Sequence, residues 1–249
     1  MTDTIVNVGT IPAIERHEAM DLAAAEYRRF LDLLRSLDPE DWARPTDCEL
    51  WDVRLLVAHM VGNTRAAGSM AETARQQLRA RRLAKRDGVT QLDAMTAVQV
   101  RAWMHLDPTD LVEALSNAVD PSIAGRRRTP GFVRNLRVPL PSLGRVPLSY
   151  LFDIIFTRDT WMHRVDVRRA TDRPMVLTAE HDGRIVADVV ADWARRHGQP
   201  FTLRLGGAAG ATFVQGDGGE HHELDAVEFC RILSGRAQGT GLLTTEVPF

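Results

Sequence analysis

At 249 residues the chain has room for one large domain or two small ones. Hydrophobic residues at 44% and charged residues at 26% exclude a disordered chain. A formal net charge of -2 supplies no global field for nucleic acid or an anionic membrane.

Lys85 is the only lysine among the 31 basic residues, a bias of the kind that GC-rich coding produces. Cys48 and Cys230 lie far apart and match no CxxC spacing, so a reducing cytoplasm fits better than a disulfide scaffold. The first residues, MTDTIVNVGTIPAIERHE, lack the basic and apolar regions of a secretory leader. The most apolar later stretch, VPLSYLFDIIF, is interrupted by Asp153 and falls far short of the roughly 20 residues that span a bilayer.

A first helix is predicted from after Pro12 to about Leu37, with Met20, Ala23, Tyr27, Phe30, Leu34 and Leu37 on one face. The segment LDPEDWARPTDCELWD is a connection whose Trp42 and Trp51 plug the end of a bundle. Asp52 caps a second helix, predicted from Val53 to about Arg82, with Leu55, Leu56, His59, Met60, Asn63, Ala67 and Met70 turned inward. A third helix fits Thr90 to Leu106, and a shorter one follows from Asp107 or Thr109 to Val119. Residues 120–147 are rich in Pro, Gly and Arg and read as a long loop. A last bundle helix runs from Leu148 to Ala170, with Asp159, His163 and Asp166 along one side.

From TDRP onward the pattern changes. A helix fits Ala179 to His197, and FTLRL and ATFVQ alternate like paired strands. The turn GDGGE leads to a helix from Asp225 to Leu233, and GLLTTEV suggests a final strand. The expected class is α+β, with a four-helix bundle over residues 1–172 and a small α/β domain over 173–249.

Asp159 and His163 are four apart on one helix, so both side chains share a face. His59 sits on the inward stripe of another helix, and facing helices of a bundle can converge such groups on one point. Two imidazoles and one carboxylate are a catalytic zinc set with a fourth position open. The same residues also suit a plain Asp–His hydrogen bond and a satisfied core histidine. Asp166 either orients His163 or pairs with Arg168 or Arg169.

Three stretches resemble one family. LDPEDWARPTDCELWDVRLLVAHMVGN is similar to the second-helix signature of the mycothiol-dependent maleylpyruvate isomerase family, whose bundle is DinB-like. RDTWMHRVDVRRATDRP resembles its fourth-helix signature, and DAVEFCRILSGRAQGTGLLTTEVPF its sterol-carrier-like C-terminal domain. The resemblance implies a divalent metal, usually zinc, on His59, Asp159 and His163, with mycothiol as thiol cofactor and a small electrophile as substrate. It also implies a Gly-Arg pair, here Gly235 and Arg236, with the arginine as a carboxylate clamp. The family's carboxylate is Glu where this chain has Asp159, one methylene shorter. That departure leaves two readings: a thiol-dependent isomerase or S-transferase, and a non-catalytic binding or stress-response protein with a weak or empty site. The resemblance gives no role to nucleic acid or membrane.

Overall fold

The computed structural model describes residues 5–140 and 144–249. The fold is α+β and divides into two units. One is Arg16–Pro174; the other joins residues 5–15 to Met175–Phe249.

In the first unit, helix α1 spans Arg16–Arg35 and buries Met20, Ala23, Tyr27, Phe30 and Leu34, the face that the three-four spacing marks. Helix α2, Val53–Gly68, starts where the Asp52 carboxylate accepts from the Leu55 N–H at 2.8 Å. The sequence pattern carries this helix on to Arg82, but the structure breaks it at Ser69. That residue is extended, and its hydroxyl accepts from the Glu72 N–H to cap a new helix, α3, Met70–Asp87. Thr90 caps α4, Gln91–Trp103, and Asp107 caps α5, Pro108–Arg128.

Helix α5 corrects the expectation of a loop from residue 120. It runs through Pro121, whose missing N–H forfeits a helical hydrogen bond. Packing overrides the breaker, because Ser122, Ile123 and Arg126 in the following turn are buried. Gly125 lies so close to α2 that a Cβ there would sit 2.1 Å from the Gly68 carbonyl oxygen. The expected loop is further replaced by a short helix α6, Gly131–Arg134, and an antiparallel hairpin of β2, Arg137–Leu140, with β3, Gly144–Pro147. Residues 141–143 of that stretch lie outside the described residues.

The last helix of the unit begins as α7, Leu148–Tyr150, widens into a π turn at Leu151–Ile155, and continues as α8, Phe156–Thr171. It ends at Asp172 in the left-handed region, φ 53°. Helix α2 packs on α5, α4 and α8, and α1 packs on α5 and α8. Arg164 on α8 grips the Glu26 carboxylate of α1 with two bonds, 2.6 and 3.1 Å, both groups buried. These contacts fix the azimuth of α8 and hence the face it turns toward α2.

The second unit is a four-stranded sheet in the order β1–β5–β4–β6 with two helices. Strand β4, Phe201–Gly206, runs antiparallel to β5, Thr212–Gln215, as the alternation predicts. Helix α9, Arg184–His197, buries Trp193 against Phe201 of β4 and against Phe229 of helix α10, Ala226–Leu233. Two strands carry no alternating apolar signal: β1, Ile5–Asn7, parallel to β5, and β6, Glu220–Asp225, parallel to β4. Both are sheet edges, where polar side chains are tolerated. The final strand expected in GLLTTEV is instead a 3-10 turn, Gly241–Thr244. Its Leu242 and Leu243 are buried, and the Leu242 carbonyl accepts from the Trp193 indole at 3.0 Å. Among the described residues no helix is long and apolar enough to cross a membrane.

Candidate metal centre

His59 lies in the second turn of α2, between buried Ala58 and Met60, so its imidazole enters the core with them. Asp159 and His163 project from α8 one turn apart. One potential ligand atom from each of His59, Asp159 and His163 lies within 4.8 Å of the others. Within the set, His163 Nε2 stands 3.4 Å from Asp159 Oδ1. A charge-assisted N–H···O bond runs about 2.7–2.9 Å, so this separation is long for a direct bond. It matches the edge, about 3.4 Å, of a tetrahedral zinc site with bonds of about 2.1 Å.

The surroundings hold each ligand from behind. His163 Nδ1 is 2.9 Å from Asp166 Oδ2, both residues buried, which leaves Nε2 toward Asp159. Asp159 Oδ2 accepts from the Asn63 amide at 2.9 Å, so the two carboxylate oxygens have separate duties. Trp51 stacks on His59, ring centroids 4.9 Å apart, and lies 6.4 Å from His163. It is held by a small loop in which Trp51 N donates to the Cys48 carbonyl at 2.7 Å and Thr46 Oγ1 to the Trp51 carbonyl at 2.8 Å. The Cys48 thiol of that loop points at Asp166 Oδ2, 3.7 Å away. His59 Nδ1 is buried with no hydrogen bond of good geometry among the described residues.

Burial pushes the His59 pKa down to about 4, helped by His163 and opposed by Asp159. Burial would also depress His163, but the nearby Asp159 carboxylate and the hydrogen bond to Asp166 outweigh it and hold its pKa well above the usual histidine value. A carboxylate beside one neutral imidazole and one readily polarised imidazole is a donor set for a divalent cation, and the residues present fit such an ion.

The structure thus brings His59, Asp159 and His163 together. Asp159 reaches the group despite its short side chain, because the i, i+4 spacing on α8 already sets it beside His163. Asp166 faces His163, and Arg169 of the last turn pairs with Asp47. Trp51, Asn63, Gln99 and Cys48 form the surroundings that sequence reasoning did not assign; the one signal available was Asn63, four residues after His59 on the inward stripe. Arg236 belongs to the other unit, just past α10, where Gly235 adopts φ 78° and the Arg236 N–H donates to the Arg231 carbonyl at 2.9 Å.

Residues 23–168 match the family model of the mycothiol maleylpyruvate isomerase N-terminal domain. Two solved structures align over 98% of this chain and 98% of their own: a mycothiol-dependent maleylpyruvate isomerase, TM-score 0.58, and a histidine mutant of the mycothiol-dependent maleylpyruvate isomerase, TM-score 0.57, each 19% identical. At that identity the likeness concerns the fold. No curated protein matches the chain by sequence.

Proposed function

Because the chain belongs to the family of the mycothiol maleylpyruvate isomerase N-terminal domain, we propose that it is a mycothiol-dependent metalloenzyme that isomerises, or transfers a thiol to, an electrophilic small molecule. The observation that carries this reading is the convergence of His59, Asp159 and His163 within 4.8 Å, with Asp166 occupying the rear nitrogen of His163.

His59, Asp159 and His163 would hold the ion, and zinc suits their chemistry. When bound, it supplies the positive charge that keeps a thiol deprotonated at neutral pH, against a free pKa of about 8.5. Asp166 fixes the orientation of His163, and Asn63 that of Asp159. Trp51 covers His59 with an apolar face. Mycothiol, when bound, would supply a nucleophilic sulfur for reversible addition to a carbon–carbon double bond conjugated to a carbonyl, which permits isomerisation with no atom gained or lost or, with proton uptake, transfer of the thiol. Arg236 offers a fork that matches a substrate carboxylate.

The test is metal analysis of the purified protein and of His163→Ala, followed by thiol titration of the cobalt-substituted form. About one metal per chain, little in His163→Ala, and a thiolate-to-cobalt absorption band with mycothiol are expected. A chain that takes up no metal overturns the reading and favours a non-catalytic binding protein.

A further inference from the structure

Gln99, on α4, crosses α2 at Gly62, three residues beyond His59. A Cβ on Gly62 would lie 2.7 Å from the Gln99 Cβ, so the glycine is what admits this side chain beside the histidine. Gln99 is buried, and its amide is not free to turn. Its Nε2 donates to Gln76 Oε1 at 3.0 Å. Gln76 is buried as well, and its own Nε2 donates to the Gly62 carbonyl at 3.0 Å and to Glu72 Oε1 at 2.8 Å. A carbonyl and a carboxylate only accept, so Gln76 cannot be reversed; with Gln76 fixed, reversing Gln99 would oppose two oxygens. Gln99 Oε1 is therefore committed to the side away from Gln76.

His59 Nδ1 is the buried atom on this face that lacks a well-formed partner. The geometry points to Gln99 as the positioning residue for His59: its Oε1 accepts from Nδ1–H, fixing the tautomer that leaves Nε2 to the ligand set. The Gln99 side chain lies within hydrogen-bonding reach of the His59 side chain. The two imidazoles then have unlike supports, a carboxylate behind His163 and a neutral amide behind His59. The amide orders the ring without adding a second buried negative charge beside Asp159 and Asp166. This role rests on the reading of His59 as a metal ligand, since the tautomer matters through the lone pair it presents.

The test uses the full-length, metal-free protein with 15N-labelled histidine, in which long-range 15N–1H correlations show which ring nitrogen bears the proton. His59→Asn identifies the signal. Wild type is expected to show His59 protonated on Nδ1, and Gln99→Leu to lose that preference and bind zinc about 10- to 100-fold more weakly. Gln99→Glu, which keeps an accepting oxygen toward His59 while setting its second oxygen against Gln76 Oε1, retains the tautomer at a lower Tm, and Gln76→Leu, which unlocks the amide, weakens it. A merely structural role would lower Tm without moving the 15N shifts. If Gln99→Leu fails to fold, Gln99→Glu against Gln76→Leu decides. An unchanged His59 tautomer and unchanged zinc affinity in Gln99→Leu overturn the proposal. Wild type that binds no zinc, yet shows the Gln99-dependent tautomer, overturns the metal reading and leaves only the hydrogen bond from His59 to Gln99 standing.

Discussion

His163 Nδ1 and Asp166 Oδ2 lie 2.9 Å apart on one face of α8, both shut off from solvent. The carboxylate faces the nitrogen opposite the proposed ligand face of the ring, so on that proposal it would act on a metal through the imidazole. Asp166→Asn keeps an acceptor and loses the charge, and zinc affinity is expected to fall about tenfold; Asp166→Ala loses both, and the fall approaches about 100-fold. Competition against a chelator of known affinity measures both.

Asp159 is different in kind, because it is the anionic member of the proposed ligand set and is partly exposed. Asp159→Asn is expected to weaken zinc binding by more than about 100-fold and, separately, to lower the Tm of the metal-free protein at neutral pH, because the buried His163 cation loses the charge opposite it. Calorimetric titration and a melting curve on one preparation separate the two effects.

The two histidines predict opposite responses to pH. In the metal-free protein at neutral pH, His59 is neutral, since burial holds it near 4, and His163 is protonated, since Asp159 and Asp166 hold it above its usual value against burial. Zinc must displace the His163 proton. Affinity therefore rises about tenfold per pH unit while His163 stays protonated, with about one proton released per ion. Titration in buffers of differing ionisation enthalpy counts that proton. For stability the signs differ. Between the unfolded value of 6.5 and about 4 the unfolded chain takes up a proton that folded His59 refuses, so stability falls as pH drops through that window. The His163 contribution is complete below 6.5 and is lost as pH rises through its raised folded value. Urea unfolding across pH 4–9 checks both limbs.

Where α2 meets α5, backbone touches backbone. A Cβ on Gly125 would lie 2.1 Å from the Gly68 oxygen, and one on Gly68 would lie 2.7 Å from the Ser122 Cα. Gly125→Ala is expected to cost about 1–3 kcal/mol or more, the range for overpacking. That lowers Tm by several degrees, at about 2–4 °C per kcal/mol for a chain of this size. Differential scanning calorimetry gives the value.

Most of the helices, and the shared face of Asp159 and His163, were legible because both depend on periodicity, which a sequence displays directly. The meeting with His59 was implied by the family resemblance, and the break at Ser69 was missed because the three-four pattern continues across it. Helix α5 past Pro121 was not, since its continuation is decided by Ser122, Ile123 and Gly125 packing on a helix more than fifty residues away. Strands β1 and β6 were hidden for a different reason. Three residues are too few to alternate, and EHHELD is an edge that buries little. The final LLTT has strand propensity, but Leu242 and Leu243 find their burial in a tight turn under Trp193. Around the site, Gln99 and Gln76 carry no motif at all. Their significance lies in which amide faces which acceptor, a property of three helices at once.

Strand β1 pairs Ile5 with Thr212, with all of the helical unit between them in the chain. The sheet is therefore an interrupted element, and the bundle is an insertion within it. During synthesis the first strand emerges long before its partner and must wait, unpaired, until β5 has been made. A fragment beginning at residue 175 holds β4, β5 and β6 but leaves the outer side of β5 without its neighbour, a bare edge open to another chain. Supplying residues 1–15 as a separate peptide would restore that edge, turning the interruption into a two-piece complementation.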